Sequence, residues 1–288
     1  MWFFRLLYTA SFVALKQMTN KMNKEILCMS LALTILAVSC RKSGTTPVNP
    51  DPNPNPVIGK IAKMEYTDGA YDSIYYNSDG TIRKVKNHFT TPALYDAIYL
   101  FDYDATGKLK RITDNNGEYY DYVYISGQLT AVNHYATGVK SDYRIYGYLN
   151  GKLADIEEYY RLGINTPAYD YVANRKLSYY PDGNLKQEIN YSFDPVTRVA
   201  IKDFTLSYAD YDGKLNPSDE LGRFLYQAQV GMSKNNARKL ITKDEVNSTT
   251  TEFNFEYTYN DFSNPLTKKI TYTSGGQLHT ETIKYDYY

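Results

Sequence analysis

The stretch Tyr103-Asp104-Ala105-Thr106-Gly107-Lys108-Leu109 is one copy of a short motif that recurs along the chain. In each copy a tyrosine enters a polar turn, the turn ends in glycine, and a branched apolar residue follows shortly after it. Because glycine adopts φ > 0 without a Cβ clash, Asp-Gly, Asn-Gly and Ser-Gly between β-forming residues predict hairpin turns. The other copies lie at residues 76–82, 124–129, 148–153, 179–185, 211–215 and 272–278.

The repeats predict an all-β fold. From about Ile61 to Tyr287 the chain reads as strands of roughly 7–11 residues separated by turn signals. Short hairpins pair strands that are neighbours in sequence, so the expected product is one long antiparallel up-and-down meander of about 16 strands. The pattern leaves two forms open, an open coiled sheet and a porin-like barrel.

One segment interrupts the meander. Asn216-Pro217-Ser218-Asp219 has the features of a helix start, with asparagine as N-cap and proline at the first helical position. The apolar residues that follow have helical spacing, and Gly231 suits the end of the helix. We therefore expect one short helical insertion near 217–230, either as a cap over the sheet or as a lid. The apolar residues are Leu221, Phe224, Leu225 and Ala228.

The N-terminal segment predicts export and lipidation. A charged start at Met22 precedes an apolar run, 26–38, that is too short to span a bilayer. The run ends in Leu36-Ala37-Val38-Ser39-Cys40, which resembles the lipobox of bacterial lipoproteins, with Ala37 where leucine is commonest. The resemblance implies cleavage before Cys40 and lipid on its thiol. The alternative is an ordinary signal peptide that happens to contain this cysteine.

Composition shifts divide the chain into four segments. The segment after Cys40, which we call the tether, carries alternating prolines at residues 50–56, and these favour an extended, semi-rigid stalk. Arg41 and Lys42 stand where surface-exported lipoproteins carry acidic residues, which favours the periplasmic leaflet of the outer membrane of a Gram-negative bacterium. The expected segments are 1–21, an upstream extension if translation starts at Met22 rather than Met1; 22–39, the signal peptide; 40–58, the lipidated cysteine and tether; and 59–288, the repeat domain.

Composition also limits the kinds of site. With 32 basic and 32 acidic residues the chain lacks a basic field for phosphate backbones, so nucleic acid is not an expected partner. Both cysteines precede the repeats, and three histidines are too scattered for a histidine-rich metal site. The 32 tyrosines suit half-buried pleated surfaces, where most are expected to pack in cross-strand pairs.

No catalytic constellation stands out. Glu157 and Glu158 are neighbours on a predicted strand, so their side chains are expected on opposite faces and cannot form an acid/base couple by themselves. No serine lies in a nucleophile elbow, and no glycine-rich phosphate loop is found. His88, His134 and His279 are expected to be surface or strand residues. We therefore expect no enzyme activity, no cofactor and no metal, with Cys40 as the lipid attachment site.

The Tyr-x-x-x-Gly-x-Leu turns resemble the YD repeats of Rhs-type shell proteins. Together with the lipobox, the proline tether and the insertion at Asn216-Pro217 followed by Ser233-Lys234-Asn235-Asn236, they resemble a family of uncharacterised bacterial lipoproteins. That resemblance implies a porin-like β fold and names no activity.

Three function classes follow. We expect a lipid-anchored, non-catalytic envelope protein that acts as a binding or scaffold module for a glycan, peptide or protein. The alternatives are an outer-membrane pore-like β-barrel and an enzyme whose site is assembled from distant strands. Charge on both faces of the strands after Gly80, Gly107 and Gly151 argues against the pore, because hydrocarbon tolerates such charges poorly.

Overall fold

The computed structural model describes residues 59–91, 94–161, 169–194, 197, 199–218 and 233–288, and these residues form sixteen β-strands. None of them belongs to a helix with the length and hydropathy needed to span a bilayer. The strands are β1 Ile61–Tyr66, β2 Tyr71–Tyr76, β3 Ile82–Phe89, β4 Tyr95–Tyr103, β5 Leu109–Asp114, β6 Tyr119–Ile125, β7 Gln128–Ala136, β8 Val139–Leu149, β9 Lys152–Tyr160, β10 Asp170–Tyr179, β11 Leu185–Phe193, β12 Ala200–Leu215, β13 Asn235–Asp244, β14 Thr249–Tyr259, β15 Pro265–Ser274 and β16 Gln277–Tyr287.

The strands form a closed antiparallel barrel. Each strand pairs with its neighbours in sequence, and β1 pairs with β16, for example Met64 opposite Tyr285. The predicted sixteen-strand meander is therefore confirmed, and the barrel is the form it takes. Of the expected helical insertion, Pro217 and Ser218 lie in a turn, and the rest falls outside the described residues.

Five of the repeat turns, at residues 76–82, 103–109, 124–129, 148–153 and 179–185, lie at one end of the barrel, which we call the repeat end, because each joins an even-numbered strand to the next odd-numbered one. The other two copies differ: residues 211–215 lie within β12, where the register with β13 shifts, so the turn predicted there is wrong, and residues 272–278 join β15 to β16 at the opposite end. In the first turn quoted above, Asp104 N–H donates to the Lys108 carbonyl at 2.8 Å, and Gly107 N–H donates to the Asp104 carbonyl at 3.0 Å. Gly107 has φ 79, as the hairpin prediction requires.

In each of the five turns at the repeat end, the tyrosine stands opposite the apolar residue after its own glycine, as Tyr103 stands opposite Leu109. The register shifts next to this pair, so one extra residue bulges on the strand that leaves the turn. The same shift accompanies four further pairs: Tyr76 with Ile82, Tyr124 with Leu129, Tyr148 with Leu153, and Tyr179 with Leu185.

Tyrosine hydroxyls then connect successive repeats. Tyr103 donates to the carbonyl of Ile82 at 2.8 Å, the apolar residue of the preceding repeat. Tyr211 donates to Leu185 in the same way at 2.5 Å. A backbone carbonyl on a bulged strand thus gains a partner, and each hairpin is held in register against the one before it.

The interior is built in tiers from the repeat end. The first tier is formed by the tyrosine–aliphatic pairs. The second is apolar from β2 to β9, with no member more than 8% exposed, and continues on β10 and β11 as Leu177 opposite Glu188. The third, farther from the repeat end, is polar. The second-tier pairs are Ile74–Val85, Phe101–Ile112, Tyr122–Val132 and Tyr146–Ile156, and the third-tier pairs include Asp72–Asn87, Tyr120–His134, Arg144–Glu158 and Arg175–Asn190.

Candidate functional site

A continuous row of aromatic rings runs across the outer wall of β8 to β11. Tyr143 and Tyr159, a cross-strand pair, stack at 4.6 Å between ring centroids and 2° between planes. Tyr171 lies 5.2 Å beyond Tyr159, and Phe193 lies 4.2 Å beyond Tyr171. Tyr169 meets the edge of Tyr143 at 5.2 Å. We call the outer and inner faces of β6–β11 the tyrosine arc.

The row arises from strand alternation. On β8, Arg144 and Tyr146 are buried and point inward, so Tyr143 and Ile145 point outward. On β6 and β7 the outward pair Tyr119 and Tyr135 continues the aromatic surface, with ring centroids 4.7 Å apart.

Charged groups hold these rings in place. The Lys140 ammonium lies 3.9 Å from the Tyr143 ring centroid, and the Tyr169 hydroxyl donates to the Lys140 carbonyl at 2.7 Å. Because Tyr159 is stacked 4.6 Å away, the ammonium has room only on the other face of Tyr143. The Tyr159 hydroxyl donates to Glu157 at 2.8 Å, and burial together with that carboxylate raises the pKa of Tyr159. These contacts fix the rings of Tyr143, Tyr159 and Tyr169 on the outer wall.

Aliphatic side chains adjoin the rings on the same wall. Val123 and Ile145 are each 38% exposed, and Ala131 lies between them as the cross-strand partner of both. A bidentate pair borders this patch: Arg111 donates to Asp121 at 2.6 and 2.8 Å. The outer face of the tyrosine arc thus combines an aromatic and aliphatic centre with a charged rim.

The inner face of the same strands carries buried charge. Arg144 on β8 and Arg175 on β10 both pair with Glu158 on β9, Arg144 at 3.0 Å. Burial raises the pKa of Glu158, but the two guanidinium groups outweigh it and lower the value to about 2. The carboxylate is therefore ionised at neutral pH, and the cluster is a buried ionic lattice.

Glu188 on β11 extends this lattice. It is 1% exposed, and burial raises the pKa of its carboxyl group although Arg175 opposes that shift. Within the described residues its Oε1 atom has no hydrogen-bond partner.

His134 lies at the side of the cluster, with Asp142 at 2.7 Å from Nδ1 and Glu118 at 3.2 Å from Nε2. Ser141 also contacts Nδ1, at 2.9 Å. Each ring nitrogen thus has a carboxylate partner, and both nitrogens donate together only in the protonated imidazolium. Burial lowers the pKa of His134, but the Asp142 and Glu118 carboxylates outweigh it and raise the value overall. The arrangement suits a charged structural imidazolium.

Strands β13–β16, which we call the threonine arc, have the opposite pattern. Their inner face carries Phe253, Phe255, Ile270 and Tyr285, each 8% exposed or less. Their outer face carries threonines and ion pairs. The outer contacts are Lys239–Glu252 at 2.9 Å, Lys269–Glu256 at 3.5 Å and Thr258–Thr267 at 2.7 Å.

The predicted site residues fall in different places. Cys40 lies outside the described residues. His88, His134 and His279 are strand residues as expected, on β3, β7 and β16. Glu157 and Glu158 point to opposite faces, which confirms that prediction: the first meets Tyr159 and the second meets the interior arginines. In the part of the chain that the structure describes, no group of three His, Cys, Asp or Glu side chains could hold a metal ion.

Sequence reasoning missed the ionic lattice and did not locate the ring row. One signal was available, because Asp142, Arg144 and Tyr146 alternate on one face of a single predicted strand. Charged residues on the same inward face as a buried tyrosine indicate buried partners on a neighbouring strand.

Comparison with known proteins shows the fold alone. A porin-like protein from Bacteroides uniformis is 15% identical and superposes with a TM-score of 0.54 over 79% of this chain and 96% of its own. A porin-like protein from Bacteroides vulgatus is 14% identical, with a TM-score of 0.45 over 80% of this chain and 99% of its own. No protein-family model matches the chain. A search of curated proteins finds no match either.

Proposed function

We propose that this protein is a non-catalytic scaffold of the bacterial cell envelope that binds a protein partner through the outer face of the tyrosine arc. The observation that carries the proposal is the row of rings from Tyr169 to Phe193, presented beside exposed aliphatic side chains. Tyrosine supplies large, rigid contact area at low conformational cost and is enriched in protein interfaces.

The ring geometry favours a protein over a glycan. A sugar stacks on an open ring face, and both faces of Tyr143 are covered, one by Tyr159 and the other by the Lys140 ammonium. The ring edges, hydroxyls and neighbouring aliphatic groups complement a protein surface of mixed polarity. Because the rings are already packed against one another, little side-chain entropy is lost on binding.

The proposed scaffold stands in water, anchored by lipid on Cys40 and spaced from the membrane by the tether at residues 40–58, with the periplasmic leaflet favoured. A spanning barrel needs an outer band free of charge, since each midplane Lys or Arg costs about 2–4 kcal/mol. Outward ion pairs instead lie on strands around the barrel wall. They include Lys86–Asp96, Arg111–Asp121, Lys239–Glu252 and Lys269–Glu256.

Two experiments test the anchored, non-conducting form. Residues 57–288, expressed without leader or lipid, are expected to be soluble without detergent and silent in planar bilayers. Stable single-channel conductance from the pure protein would instead establish the pore-like barrel. For the anchor, Cys40→Ser is expected to release the protein from membranes or leave it uncleaved, and mass spectrometry that finds an unmodified Cys40 thiol in wild type contradicts the lipid.

A further inference from the structure

Lys268 is a lysine on the inner face of β15. Its ammonium lies 4.1 Å from the ring centroid of Phe255 and 5.8 Å from that of Tyr257. Its cross-strand neighbours are Tyr257 on β14 and Ile283 on β16. The amine thus points into an aromatic and aliphatic part of the interior, while the side chain keeps some exposure to solvent.

No titratable group around Lys268, among the described residues, pairs with the charge of its ammonium. Among the described residues no carboxylate lies within 4.0 Å of its Nζ, and burial alone lowers the pKa of the amine to about 8. Burial raises the pKa of Tyr257 and Tyr285, so both phenols stay neutral through the same range. The next inward carboxylate on β16, Glu281, stands opposite Ile270 and accepts a hydrogen bond from Tyr272 at 3.1 Å.

Lys269 provides a natural contrast one residue away. It points outward, is exposed, and forms an ion pair with Glu256 at 3.5 Å. Two consecutive lysines therefore differ in face, partner and solvation while sharing the same strand.

We propose that Lys268 is a carbonyl-reactive amine that binds aldehydes covalently inside the barrel. The neutral amine attacks the carbonyl carbon, and loss of one water from the carbinolamine leaves an imine between Nζ and the former carbonyl carbon. A desolvated lysine in an apolar site is the usual form of such a nucleophile. This site is separate from the tyrosine arc and does not depend on the function proposed for it.

The test is reductive trapping in the purified full-length protein. Acetaldehyde and sodium cyanoborohydride are added at pH 7, and chymotryptic peptides that contain both lysines are fragmented to assign the ethyl group. About one-tenth of an amine with a pKa near 8 is neutral at pH 7, against fewer than about one in a thousand for an ordinary lysine. Lys268 is expected to be alkylated at least about ten-fold faster than Lys269.

Two variants serve as controls. Lys268→Met removes the fast phase, and Lys269→Gln leaves it unchanged. Alkylation of Lys268 at the rate of Lys269 or more slowly overturns the proposal, as does a fast phase that persists in Lys268→Met. Because both lysines are compared within one wild-type molecule, the result does not depend on the folding of either variant.

Discussion

The tyrosine arc and the threonine arc are built by the same antiparallel pairing, yet the first buries a cluster of ion pairs behind outward rings and the second buries rings behind outward ion pairs. In the tyrosine arc, Glu158 and its arginines are inside while Tyr143 and Tyr159 are outside. In the threonine arc, Phe255 is inside, and Lys269 with Glu256 is outside.

Comparison of the two arcs shows which features of the barrel wall are required for closure. The threonine arc shows that these strands close with ordinary polar residues outside, so closure does not require outward rings. A buried ion pair is also weak evidence for stability, because desolvation offsets much of its attraction. Folding alone therefore explains neither the outward rings nor the buried ion pairs of the tyrosine arc. We propose that its outer face binds a partner.

The largest expected effect comes from the inside of the tyrosine arc. Glu158→Gln leaves Arg144 and Arg175 buried beside a neutral group, so we expect the free energy of unfolding to fall by about 3–5 kcal/mol. The matched control Glu256→Gln removes an exposed partner of Lys269 and is expected to cost less than about 1 kcal/mol. Urea unfolding measures both. Equal losses in the two variants would remove the energetic distinction between the arcs.

A smaller loss of stability, equal in the two arcs, is expected from substitutions at the glycines of their hairpin turns. Gly151 in the β8–β9 turn has φ 75, and Gly276 in the β15–β16 turn has φ 77, with no atom within 4 Å of an added Cβ at either. Valine at each is expected to cost about 1–3 kcal/mol from backbone strain alone. Thermal melts that rank the two variants far apart would show that turn strain differs between the arcs.

The outer rings are expected to matter little for stability. Replacing Tyr143 and Tyr159 by threonine removes one stacked cross-strand pair, worth about 0.5–1.5 kcal/mol. The reciprocal change, Thr271→Tyr with Thr280→Tyr, places a ring pair on a cross-strand position of the threonine arc. It should shift the free energy of unfolding by a similar amount in the stabilising direction. A loss above about 3 kcal/mol in the first variant would indicate that the rings hold the barrel together.

The pH dependence of the tyrosine arc gives the smallest expected effect. The folded-state pKa of His134 is raised above its ordinary 6.5. Its charged form therefore contributes stability that is complete below that value and is lost as pH rises through the folded-state pKa. The stability difference between wild type and His134→Gln should be larger at pH 5.5 than at pH 8.5. A difference that is flat or reversed with pH contradicts a charged imidazolium between Asp142 and Glu118.

The sequence predicted the hairpins and the strand count because both depend on local chemistry. A glycine at φ > 0, as at Gly107, and a tyrosine opposite an aliphatic residue, as with Tyr103 and Leu109, are readable from neighbouring positions. Closure was left open because the β1–β16 pairing joins residues at the two extremes of the domain, as with Met64 and Tyr285. Twist and stagger summed over all strands decide whether those edges meet.

The candidate site was harder to predict for a different reason. Tyrosine suits both the inner and the outer face of a sheet, so Tyr143 and Tyr146 look alike in sequence although one is outside and the other is 5% exposed inside. The ion pairs of Glu158 join three strands, and the register that aligns Arg144, Glu158 and Arg175 depends on a bulge in each of the two strand pairs. A strand pattern fixes alternation, but not which set faces inward.

In-cell photocrosslinking tests the central claim most directly. A benzoylphenylalanine is placed at Ile145, 38% exposed on the tyrosine arc, or at Thr280, exposed on the threonine arc, in the full-length chain in its native host. We predict one discrete protein adduct from position 145, lost when Tyr143 and Tyr159 are replaced by threonine, and no such adduct from position 280. Failure to crosslink at 145, a glycan adduct there, or the same adduct from both positions would contradict protein binding by the tyrosine arc.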